Sequence, residues 1–113
     1  MKERDLLHDV RAHLSIGDDV RLFRMTVGFD ELARQRYGVP GMSDLIGWRR
    51  LVIVPADVGT ELAVFTAIEL KSDRGKATAA QLAFLNVVHK AGGFAGVARN
   101  LNEARAILRL TAL

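Results

Sequence analysis

A chain of 113 residues holds one modest hydrophobic core and is too short for two ordinary domains, so a single domain over 1–113 is expected. Half the residues are apolar and 26% are charged, the balance of a soluble globular protein; the net charge of +3 is a mild bias toward polyanions that names no partner alone. The absence of cysteine excludes a disulfide scaffold and a thiolate metal site and fits a reducing compartment, and no apolar run reaches the length of a membrane span.

The opening MKERDLLHDV is charged and mixed, unlike a secretory signal. Residues 2–14 are predicted to be a helix, because Leu6, Leu7, Val10 and Leu14 form one apolar stripe at helical spacing. SIGDD breaks that pattern. VRLFRMTV, from Val20 to Val27, alternates and reads as a first strand. Between Gly28 and Gly38 the segment FDELARQRY is ambiguous and has room for one short helix. DLIGWRRLVIV, from Asp44 to Val54, is a second strand with a bulge or close contact expected at Gly47. PADVGT is a turn, and ELAVFTAIELK, from Glu61 to Lys71, is the third and most apolar strand.

Thr78 and Gln81 have the S/T-x-x-E/Q spacing of a capping box, which starts a helix at Thr78 with Leu82, Leu85 and Val88 on one face. AGG stops it, as glycine past a helix end does. FAGVA is a short fourth strand, and Asn100 caps a last helix with Leu101, Ala104, Ile107 and Leu108 turned inward. The order is α-β-(α)-β-β-α-β-α. The first three strands suit a meander, and the fourth enters after a helix, as a crossover strand does. An α/β fold with a mixed four-stranded sheet flanked by helices is therefore expected.

Three charged side chains converge in this scheme. With 55–60 as a hairpin turn, Val54 pairs with Glu61 and Asp44 faces Lys71, while Glu69 lies diagonal to Asp44 on the same face. Direct cross-strand neighbours have Cβ atoms about 5 Å apart and diagonal ones roughly 7–8 Å. Two carboxylates at that separation reach a shared hard cation. A slip of one residue sends Asp44 to the opposite face. The same residues also fit a solvated rim with an ordinary cross-strand ion pair.

The longer pattern is more specific. YGVPGMSDLIGW, followed by LAVFTAIELKSDRGKATAAQLAFLNVVHKAGGFAGVARNLNEA, resembles the VRR-NUC family of the PD-(D/E)XK nuclease superfamily, in its short stand-alone phage and bacterial form. Ser43-Asp44 stands at the superfamily's PD, with serine in place of proline; Glu69-Leu70-Lys71 is its E-x-K; GKATAAQLAFL is similar to the family's GR-x-[ST]-x-x-Q-x-x-(F/W)-L. The resemblance implies a restriction-endonuclease-like core and hydrolysis of phosphodiester bonds dependent on Mg²⁺ or Mn²⁺. It implies Asp44, Glu69 and the backbone carbonyl of Leu70 as metal ligands, Lys71 beside the attacking water, and Gln81 facing the site. Glu3, three residues ahead of Leu6, fits a glutamate that the family carries on its first helix.

Oxygen donors suit this chemistry, since magnesium is hard and a divalent ion neutralises an anionic phosphodiester. Gln81 equally fits the capping partner of Thr78, and the two roles are compatible. Arg49, Arg50, Arg74 and Lys76 are candidates for DNA backbone contacts, although single surface cations are more often merely solvated. His8, His13 and His89 lack metal spacing, and Trp48 is most simply packing on the sheet. The expected partner is DNA, branched DNA such as a four-way junction above all, met by a homodimer in the cytoplasm of a bacterial cell or phage-infected host. The rivals are a nicking or structure-nonspecific nuclease of phage DNA metabolism, and a non-catalytic DNA-binding or assembly module on a nuclease fold.

Overall fold

The computed structural model describes residues 2–26 and 28–110. Among these residues it has three α-helices and three two-stranded sheets, a mixed α/β architecture that falls into two compact units, Met1–Leu51 and Val52–Leu113. Among the described residues no helix is long and apolar enough to cross a membrane.

The first unit begins with helix α1, Glu3–Leu14, which carries Glu3 and Asp5 in its first turn, where they favour the helix dipole. Leu7 and Val10 are half-buried, while Leu6 and Leu14 at the edges of the stripe are exposed. Strand β1, Val20–Arg24, is tied to α1 through Leu22. Its N–H donates to the Ser15 hydroxyl at 3.3 Å, and its carbonyl accepts from Arg11 Nε at 3.2 Å. Both backbone groups of Leu22 are thus satisfied by the helix side of the strand. Val27, the last residue of the expected strand, lies outside the described residues.

The ambiguous segment after it is a β-hairpin, not a helix. Strands β2, Gly28–Asp30, and β3, Gln35–Tyr37, pair antiparallel with Phe29 opposite Arg36. Asp30 decides the outcome. Its Oδ1 accepts from the N–H groups of Leu32 and Ala33 at 3.0 and 3.1 Å, an Asx-type turn that competes with helix formation. Arg34 closes the loop in the left-handed region at φ 51°.

Strand β4, Leu45–Arg49, is shorter than expected and pairs antiparallel with β1, Arg24 opposite Leu45 and Leu22 opposite Gly47. The close contact expected at Gly47 is present: a Cβ there would overlap the Arg21 carbonyl and come 3.0 Å from Leu22 Cα. Trp48 packs diagonally across the same pair against Phe23, ring centroids 5.5 Å apart.

In the second unit the chain makes a short 3₁₀ turn at Pro55–Asp57. The expected pairing of Val54 with Glu61 is not formed. Asp57 Oδ2 takes the Val54 N–H at 3.1 Å, and Pro55 has no N–H to give a ladder. Residues 50–54 and 61–65 lie outside any strand, and the register that set Asp44 opposite Lys71 is absent from the described ladders. Strand β5, Thr66–Leu70, pairs instead with β6, Phe94–Ala98, in parallel. Helix α2, Ala79–Lys90, is the crossover between them. The four-stranded sheet is therefore not formed by these ladders; what they show is antiparallel pairing in one unit and parallel pairing in the other.

Thr78 caps α2 as its spacing predicts, and Leu85 and Val88 press the helix against β6, where Ala98 is fully buried. Burying a valine or leucine side chain is worth about 1.5–3 kcal/mol, so these two residues hold much of the unit together. Leu82, expected on the same face, is half exposed. Helix α3, Leu101–Ile107, starts at Asn100, whose side chain accepts from the Glu103 N–H at 2.8 Å. Ala104, Ile107 and Leu108 are half-buried, but Leu101 faces solvent.

Candidate active site

The candidate residues fall into two groups, one in each unit. In the second unit, Glu69 and Lys71 stand two apart at the C-terminal end of β5, so their side chains share a face. Lys71 Nζ lies 3.3 Å from Glu69 Oε1, and the two side chains are 21% and 30% exposed. An ion pair this accessible contributes little to stability, but it fixes where an ammonium and a carboxylate stand.

Gln81 caps α2 and also reaches Glu69. Its Oε1 accepts from the Thr78 N–H at 2.9 Å, while the Thr78 hydroxyl accepts from the Gln81 N–H at 3.1 Å. Its Nε2 donates to Glu69 Oε1 at 2.9 Å. One amide thus couples the start of α2 to the end of β5. The capping box locks the rotamer of Gln81, and that rotamer aims the donor at Glu69. Both contacts of the Glu69 carboxylate fall on Oε1; among the described residues none falls on Oε2. Leu70, the last residue of β5, separates the two charged residues. Arg74 and Lys76 are exposed on the loop that follows.

In the first unit, Asp44 immediately precedes β4, and its carbonyl accepts from the Met25 N–H at 2.9 Å, which extends the β1–β4 ladder by one bond. Asp44 and Glu3 line the same cleft, a space of 340 Å³, together with Arg4, Arg24 and Met25. Glu3 stands there because it opens α1, which packs beside β1. Sequence reasoning missed Arg4 and Arg24; the signal for Arg24 is its place opposite Leu45, which becomes legible only when β1 and β4 are paired. Arg49 and Arg50 are exposed at the other end of β4, where the Arg50 N–H donates to the Asp19 carbonyl at 2.6 Å.

Taken unit by unit, the oxygens present are of the kind a hard divalent cation takes: the Asp44 carboxylate in the first unit, and the Glu69 carboxylate and Leu70 carbonyl in the second. Among the described residues no three His, Cys, Asp or Glu side chains gather into a metal cluster.

No curated protein and no solved structure matches the chain. The family model of the VRR-NUC domain does, over residues 23–100, a stretch that includes Asp44, Glu69, Leu70, Lys71 and Gln81 but not Glu3. With more than half of its length inside that match, the chain belongs to the VRR-NUC domain family, and its function is accordingly of the nuclease type with DNA as partner.

Proposed function

We propose that the protein is a metal-dependent DNA endonuclease selective for branched DNA, four-way (Holliday) junctions in particular. The observation that carries the catalytic part is the Glu69–Lys71–Gln81 group, in which an acid, a cation and an orienting amide are joined by contacts of 3.3 and 2.9 Å. A solvated rim does not need an amide locked in a capping box to aim its carboxylate.

Asp44, Glu69 and the Leu70 carbonyl would hold Mg²⁺ or Mn²⁺, with Glu3 as a further acid on the Asp44 side. When bound, such an ion neutralises phosphate charge and lowers the pKa of a water. The chain's own residues do the rest. Lys71 places a positive charge where the water's oxygen attacks phosphorus and the bond to the leaving oxygen breaks, which stabilises the charge that develops there. Gln81 keeps the Glu69 carboxylate in one orientation, so that none of its reorganisation falls in the reacting step. Arg49, Arg50, Arg74 and Lys76 are exposed and supply phosphate contacts.

The preference for branched DNA follows from assembly. One 113-residue domain has little surface for an elaborate substrate, and a two-fold homodimer offers two sites and a continuous basic face. The β2–β3 hairpin supports such a dimer, since Phe29 is 54% exposed and Leu32 at its tip fully exposed. A restriction-endonuclease-like core with one mixed four-stranded sheet flanked by helices is part of this reading. The cytoplasm of a bacterial cell or phage-infected host is the expected place of action.

Labelled four-way junction, flap and linear duplex are incubated with the protein and Mg²⁺, Mn²⁺ or EDTA, beside the Asp44→Asn variant. Cleavage of the junction that needs the metal, and that Asp44→Asn abolishes without changing the circular dichroism spectrum, supports the reading. Equal cleavage of duplex and junction favours a structure-nonspecific nuclease. Binding without cleavage under every metal favours a non-catalytic module.

A further inference from the structure

Strand β5 ends at Leu70, yet the chain beyond it is still held. The Lys71 N–H donates to the Ala98 carbonyl at 3.1 Å, and the Ser72 carbonyl accepts from Arg99 Nη1. The strand exit is thus fastened twice to the exit of β6, once by backbone and once by a guanidinium. We propose that Arg99 is a positioning residue of the nuclease reaction, which holds Ser72 so that Lys71 keeps its place over Glu69. The proposal rests on the catalytic role given to Lys71 above.

Arg99 is itself fixed from behind. Its N–H donates to Glu103 Oε1 at 2.7 Å, while the Glu103 N–H donates to Asn100 Oδ1 at 2.8 Å. The start of α3 therefore caps itself and anchors the backbone from which the guanidinium extends. An arginine stem grown from a fixed backbone loses less freedom in making its contact than one grown from a loose loop. The planar guanidinium adds several donors in a rigid fork, of which the Ser72 carbonyl uses one.

On the other side of the contact, Ser72 closes a tight turn. Its carbonyl and its hydroxyl both accept from the Gly75 N–H at 3.2 Å. Gly75 stands close beneath: a Cβ there would lie 3.1 Å from Ser72 Oγ and 3.7 Å from Lys71 Cβ. The turn thus packs against the root of the Lys71 side chain. Lysine is a flexible four-carbon stem, and its ammonium stays 3.3 Å from Glu69 only while its backbone is held. Without Arg99 the exits of β5 and β6 keep, among the described residues, the Lys71–Ala98 bond, and the Ser72–Gly75 turn can swing about it as a unit. A displacement of about 1 Å in a reacting group costs on the order of 100-fold in rate.

Arg99→Ala and Arg99→Lys are compared with the unchanged protein in two measurements. The first is metal-dependent junction cleavage, resolved into kcat and KM. The second is amide hydrogen exchange at Lys71 and Gly75 in the metal-free protein. Arg99→Ala is expected to lower kcat at least about 10-fold with KM within about threefold, following the cost of a misplaced group. Exchange at Lys71 and Gly75 should rise at least about 10-fold, a local opening that leaves α2 protected. Arg99→Lys, which keeps a donor and the charge, should recover part of kcat. Unchanged exchange at both amides overturns the proposal, as does a rise in KM with kcat intact, which would make Arg99 a phosphate anchor. If the unchanged protein cleaves nothing, the nuclease reading fails, and with it the catalytic consequence; the exchange measurement then still separates that failure from failure of the clamp.

Discussion

Gln81 joins a helix cap to the Glu69 carboxylate, so under the proposed function one substitution should be readable in both stability and activity. Gln81→Ala removes the bond to the Thr78 N–H at 2.9 Å and the bond to Glu69 at 2.9 Å. Loss of a cap partner costs about 1 kcal/mol. A hydrogen bond to a charged group is worth about 1.5–3 kcal/mol, and the lower end applies here because Glu69 is 30% exposed. The two effects share one side chain and do not add fully, which gives an expected loss of about 2 kcal/mol. At about 4 °C per kcal/mol for a chain of this size, Tm should fall by roughly 8 °C. Gln81→Glu separates the two roles. Glutamate at this position still accepts from the Thr78 N–H, so the cap survives, but it sets a second carboxylate against Glu69 where a donor stood. It keeps the cap's share but should still lose about 1.5 kcal/mol or more with the bond to Glu69, while cleavage falls at least as far as in Gln81→Ala. Thermal and urea unfolding, with the junction-cleavage assay on the same preparations, measure both. A Gln81→Ala protein destabilised by less than about 0.5 kcal/mol refutes the coupling, since that is the floor for a lost cap. So does a Gln81→Glu protein that cleaves normally.

Lys71→Ala should lose cleavage but keep most DNA affinity, because one lysine is a small part of a multi-phosphate contact; a parallel loss of binding in a filter or anisotropy titration would make it a DNA anchor instead. Gly47→Ala forces a methyl onto the Arg21 carbonyl and should cost about 1–3 kcal/mol, the range for overpacking, seen as a lowered urea midpoint. Sedimentation at micromolar concentration should show a dimer that Leu32→Asp weakens; a monomer with full junction selectivity would separate selectivity from assembly. Junction binding should fall as salt rises, because phosphate contacts release counterions, and an affinity flat between 50 and 200 mM salt would argue that few phosphates are touched.

What was legible in the sequence is what is settled within a few residues. Thr78 with Gln81 and Asn100 with Glu103 mark helix starts because each pair closes its own hydrogen bonds across three positions. The parallel entry of β6 followed from the helix before it. The partner of β4 was not legible. That choice is made by residues far away in the chain, and the turn at Pro55 looked like a hairpin until Asp57 is seen taking the Val54 N–H. Asp30 misled in a similar way: DELA suits a helix start, but the aspartate spends its side chain on the N–H groups of a turn. The candidate site divides along the same line. Glu69, Lys71 and Gln81 are joined by local spacing and one capping box, whereas the sharing of a cleft by Glu3, Asp44 and Arg24 depends on the β1–β4 register.

The parallel pairing of β5 with β6 also sets an order in time. Parallel strands pair only across a finished crossover, and a chain leaves the ribosome from its N-terminus. Glu69, Lys71 and Gln81 are all made before Phe94–Ala98, the strand that holds them, and before Glu103, which steadies its exit. A nascent chain therefore carries Glu69 and Lys71 for some twenty residues of synthesis before the strand that pairs with β5 exists, as expected from N-to-C folding. The neighbour that fixes the end of β5 is made only after every member of the Glu69–Lys71–Gln81 group.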